Sequence, residues 1–128
     1  GSSIIIGAST AIICFWGLII IKYKLKLDDS LDAFSLHGFG GMWGALCVGL
    51  FASKSVNPNI EFEGLFIGYN FHLLIEQILG VLVCFGISAI ISYVIFKIIS
   101  FFTPLRVDSE HESIGLDASL HGESAYQK

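Results

Sequence analysis

The stretch Asp32 to Ala52, DAFSLHGFGGMWGALCVGLFA, decides how this chain is read. Between Ala33 and Ser53 its only ionisable side chain is His37. A run of about 18 or more apolar residues with few charges is long enough to cross a bilayer as a helix. Two further runs flank it: Gly1–Ile21 and Gln77–Phe96 carry no charged side chain. Three transmembrane helices are therefore expected, over roughly 2–22, 33–53 and 68–102, and the fold class is an all-α membrane protein. The third run exceeds one straight crossing. It predicts a tilted helix, with His72 and Glu76 at its start and Lys97 snorkelling at its end.

The composition agrees. Of the 128 residues, 54% are hydrophobic and 14% charged, against about 25% charged in soluble proteins. Mean hydropathy is +0.76. The net charge of −4 gathers in residues 105–128, where five acids face Arg106 and Lys128. With no basic stripe, nucleic acid is not an expected partner. Cys14, Cys47 and Cys84 fall one to a span. They form no CxxC and no metal-ligand spacing, and read as small apolar filler, so neither metal nor cofactor is implied. His37 and His72 lie on different spans, which argues against a shared haem or metal. No nucleophile–base set or phosphate loop points to an enzyme. The first apolar run lacks a starting Met and a basic flank, which excludes a signal peptide and predicts a piece of a longer chain.

The transmembrane part is read as 1–104 and the tail as 105–128. The first loop, KYKLKLDDS (22–30), holds three lysines, whereas the second, KSVNPNIEFEG (54–64), holds one lysine and two glutamates. Lysine and arginine favour the cytoplasmic side. The N-terminus is thus expected outside, and the first loop and the tail inside. The tail is polar, without amphipathic periodicity, and is expected to be disordered unless it lies on a surface.

Placed on a helix at about 100° per residue, Gly40, Gly41 and Gly44 fall within about 60° of His37. Gly38, Ala45, Gly49 and Ala52 fill the adjoining sector, and Phe39, Trp43, Leu46 and Leu50 cluster opposite. Small residues let membrane helices approach closely, with His37 bonding across such an interface. An ionisable group inside a span also defaults to a functional site, here a narrow passage lined by His37. Asp32 is expected to cap the helix, because a carboxylate there accepts free N–H groups and suits the helix dipole.

At DDSLDAFSLHGFGGMWGALCVGLFA the sequence resembles the tenth-helix motif of the ammonium transporter family, the Amt/Mep/Rh proteins, and their Amt branch above all. The tail carries a second motif, LRV followed by acids and then GLD, HGE and AY. The resemblance covers nearly the whole chain. It implies a fragment of an eleven-helix fold, helices nine to eleven plus the cytoplasmic tail, from a trimer with a narrow hydrophobic conduit in each subunit. His37 then stands as the second of two conduit histidines that share a hydrogen bond, with Gly38, Gly40, Gly41, Gly44 and Gly49 packing at the conduit. The first histidine and the aromatic residues of the outer ammonium site are absent from this chain. The implied partners are ammonium or ammonia, the remaining transporter helices in the same or a separate chain, and a cytoplasmic regulator of the tail. Within that tail, Gly115 and Gly122 serve turns, Asp117 a local cap, and Ser119 and His121 the docking motif. Ser119 also matches a position phosphorylated in some plant members. The chain alone is not expected to transport. The alternative is a non-transporting structural membrane subunit derived from such a transporter.

Overall fold

The computed structural model describes residues 1–124; Ala125 and Tyr126 of the tail motif lie outside the described residues. All regular structure among the described residues is helical. Three helices are long and apolar enough to cross a membrane: Ser2–Lys24, Phe34–Phe51 and His72–Ser100. The chain divides into two compact units, Gly1–Phe85 and the remainder from Gly86.

In the first unit, α1 (Ser2–Leu18) runs on into wide π turns over Ile19–Lys24. The hydroxyls of Ser9 and Thr10 donate back to the carbonyls of Ile5 and Ile6, each at 2.7 Å, which satisfies them inside an apolar stretch. A second π segment, Phe34–Gly38, leads into α2 (Phe39–Phe51). These two spans pack through small residues of α1. A Cβ at Gly17 would stand 2.7 Å from the Phe39 ring, and one at Gly40 would stand 3.2 Å from Cys14 Sγ. Trp43 Nε1 donates to Ser9 Oγ at 2.9 Å across the same interface. Cys47, 1% exposed, marks the core on α2.

Beyond α2 the loop closes on itself. Gly64 N donates to Ala52 O at 2.8 Å, and Lys54 N donates to Glu63 Oε1 at 3.0 Å. A Cβ at Gly64 would stand 2.6 Å from the Leu50 backbone, so only glycine fits that closure. The short α3 (Leu65–Gly68) sets Phe66 against Phe51, with ring centroids 5.3 Å apart. Within the third span, expected over roughly 68–102, the long helix begins at His72. Tyr69 adopts a left-handed φ of 52°, and Asn70 Oδ1 accepts the N–H of His72 at 2.9 Å. That side chain opens a new helix, α4 (His72–Ser100). At the join, a Cβ at Gly49 would lie 2.7 Å from Leu74 Cα. His72 pairs with Glu76 at 3.2 Å, and its ring lies 4.2 Å from that of Phe62.

None of the 29 residues of α4 is buried. A largely apolar helix with no fully buried residue suits lipid or other membrane helices as its surroundings. In the second unit, Lys97 Nζ lies 5.8 Å from the Tyr93 ring centroid near the end of α4. After the segment 101–108 comes α5 (Ser109–Ile114), and then a π turn, Asp117–His121. The expectation of a disordered tail is corrected for those turns. A fork from Arg106 to Glu112, at 3.2 and 2.6 Å, pins the start of α5. Gly115 and Gly122, at φ 98° and 65°, end the two helical pieces.

Candidate functional site

His37 is built up from the first loop. Leu27 ends the chain's exit from the π turns of the first span, with its N–H on Ile21 O at 3.0 Å. The loop then turns back so that the half-buried Asp29 meets the start of the second span. Asp29 Oδ1 accepts the N–H of Phe34 at 3.4 Å, and Oδ2 accepts the N–H and hydroxyl of Ser35 at 3.1 and 3.2 Å. Ser35 is fully buried. Burial pushes the Asp29 carboxyl up, but the donors from Ser35 and Phe34 outweigh it and hold the group below its ordinary value.

The capping role expected of Asp32 therefore belongs to Asp29. Asp32 has a left-handed φ of 56°, which turns its side chain toward the first span. There Oδ1 lies 2.8 Å from Lys22 Nζ, an ion pair by distance. Ala33, the residue at the cap position, has no side chain to make a capping bond itself.

His37 itself sits in the π segment, two residues before α2 begins at Phe39. A π turn takes an i→i+5 hydrogen bond and so holds an extra residue per turn. The even 100° wheel does not apply there. His37 and Gly41 are exposed, and a Cβ at Gly41 or Gly44 meets nothing within 4 Å. The close contacts expected along the whole glycine strip are made, within this chain, at Gly40 and Gly49, while Gly38 packs on the Phe34 ring of its own turn. The strip beside His37 is left open. Cys14 Sγ reaches the Leu36 carbonyl at 3.5 Å, on the residue before His37.

Sequence reasoning missed Asp29, Ser35, Gly17 and Gly64. Gly17 is an isolated glycine inside an apolar run, which is a signal in itself. The six-residue reach from Asp29 to Ser35 matches no capping spacing.

In the tail, Ser119 Oγ donates to Gly115 O at 2.8 Å and to His111 O at 3.4 Å. Gly115 and Gly122 take the left-handed turns expected of them. The cap expected of Asp117 is not made: no side chain caps that turn, and its backbone carbonyl instead accepts the N–H of Glu123 at 3.0 Å. His121 is exposed in the last turn of that segment. The Arg106 guanidinium holds the Glu112 carboxyl below its ordinary value.

Comparison with known proteins gives the family. Residues 1–126 match the model of the Ammonium Transporter Family. The chain is 48% identical over 126 residues to an ammonium transporter of Bacillus subtilis (strain 168), covering 98% of this chain and 31% of that protein. It is 36% identical over 124 residues to ammonium transporter Amt1 of Archaeoglobus fulgidus, covering 97% and 30%. To ammonium transporter 1 of Dictyostelium discoideum it is 38% identical over 124 residues, covering 97% and 26%. The chain thus spans less than a third of the length of these relatives.

Proposed function

The chain belongs to the ammonium transporter family, and from that membership we propose that it acts as the C-terminal portion of an ammonium or ammonia transporter. It supplies one conduit histidine, His37, and a regulatory tail, and it works only when joined to the remaining transporter helices. The orientation that goes with this role puts the N-terminus outside and the C-terminus on the cytoplasmic side, as the lysines of the first loop suggest.

One observation carries the reading. His37 is exposed on an apolar span, and a Cβ at Gly41 or Gly44, further along the same span, would meet nothing of this chain within 4 Å. An ionisable ring on an apolar span is costly unless it serves something. Further helices laid against that span would enclose the ring in a narrow, dry path. Ammonium must shed water to enter such a path, and an unpaired charge there is expensive. Ammonia passes more easily but still needs a donor and an acceptor. Neutral imidazole offers one ring N–H and one bare ring nitrogen, and can exchange a proton with what it binds.

The test is His37→Ala in the chain reassembled with the remaining helices in vesicles. Transport is expected to fall or change its ion selectivity while membrane insertion persists. An unchanged rate with unchanged selectivity would remove His37 from the conduit. His37→Glu, which keeps a polar group but adds negative charge, is expected to admit cations.

A further inference from the structure

We propose that Asp29 and Ser35 are positioning residues for His37: together they hold the wide turn Phe34–Gly38 and so set the direction in which the imidazole leaves the helix. This rests on the assignment of His37 to the conduit. A π turn is a local departure from the α-helix that is often found at functional sites, and it persists where its surroundings hold it. Here the surroundings hold each of the three residues before His37. Asp29 takes the N–H groups of Phe34 and Ser35 together with the Ser35 hydroxyl. Ser35 is fully buried, so its hydroxyl needs that partner. The Leu36 carbonyl receives the Cys14 thiol from the neighbouring span. His37 makes no side-chain hydrogen bond among the described residues, so its direction is set by the backbone that precedes it.

The neighbouring charges have separate tasks. Lys22 is engaged by Asp32, and Asp28 is exposed. If the Asp29–Ser35 tie is lost, the turn can shed its extra residue. That would change the direction in which His37 leaves the helix.

The experiment uses the whole chain, isotope-labelled, in phosphatidylcholine–phosphatidylglycerol nanodiscs. Its readouts are the imidazole resonances of His37, those of His72 as reference, and amide exchange at Phe34 and Ser35. Ser35→Ala and Asp29→Asn are each expected to speed exchange of those amides by about tenfold or more, the scale of a hydrogen bond to a charged group. Both are expected to move the His37 imidazole resonances while those of His72 stay in place. Asp28→Asn is expected to change nothing. Faster amide exchange with His37 unmoved would overturn the proposal, and so would unchanged exchange. If Ser35→Ala does not fold, Asp29→Asn carries the same test. The readout does not depend on transport, so failure of the conduit assignment and failure of this proposal are told apart.

Discussion

Gly40 and Gly41 are neighbours in sequence with opposite surroundings. A side chain at Gly40 meets Cys14 and Thr10, while one at Gly41 meets nothing within 4 Å. Gly40→Leu is therefore expected to destabilise this chain by about 1–3 kcal/mol, the scale of overpacking, whereas Gly41→Leu should change it by less than about 0.5 kcal/mol. Thermal unfolding in detergent measures both, and equal effects would contradict the packing. On the proposed reading, Gly41→Leu is expected to impair transport more than Gly40→Leu, because Gly41 is left uncovered by this chain and further helices would cover it. Asp29 makes a pH prediction. Its folded carboxyl titrates below the ordinary value, so its stabilisation is complete above the unfolded-state pKa and is lost as pH falls through the folded one. Protection of the Ser35 amide should decline on acidification and lose that dependence in Asp29→Asn. A profile identical in both forms would contradict the linkage.

At the scale of elements, the first two spans are joined by small-residue contacts and by polar bridges, Ser9–Trp43 and Cys14–Leu36 among them. Ser9 and Trp43 lie 34 positions apart in sequence yet bond at 2.9 Å. Interhelical hydrogen bonds in membranes average about 0.6 kcal/mol. A double-mutant cycle of Ser9→Ala and Trp43→Phe should show coupling of about that size, and zero coupling would reduce the bond to incidental contact. The spans themselves were legible because a bilayer demands long uncharged runs. Their breaks were less so. Nothing in the composition marks the left-handed Tyr69 or the wide turn at Phe34–Gly38, since both answer to partners outside the run.

At the scale of the whole molecule, the tail carries the remaining prediction. Ser119 is tied to Gly115 and His111 by its hydroxyl. A phosphate there would remove the donor and add about −1.5 to −2 charge near Asp117 and Glu123. In the reassembled transporter, Ser119→Asp is expected to lower transport relative to Ser119→Ala at equal membrane abundance. Equal activity of both, and of a chain ended after Val107, would reduce the tail to a passive end. The sequence by itself determined the membrane class and the three spans, because bilayer thickness and the cost of buried charge act on composition and spacing alone, and its motifs pointed to the family. Only the tertiary structure decided that Asp29 caps the second span, that Asp32 pairs with Lys22, and which glycines are filled. Those depend on how the first loop folds back and on which helix face meets a neighbour, and neither is written in the periodicity of a single helix.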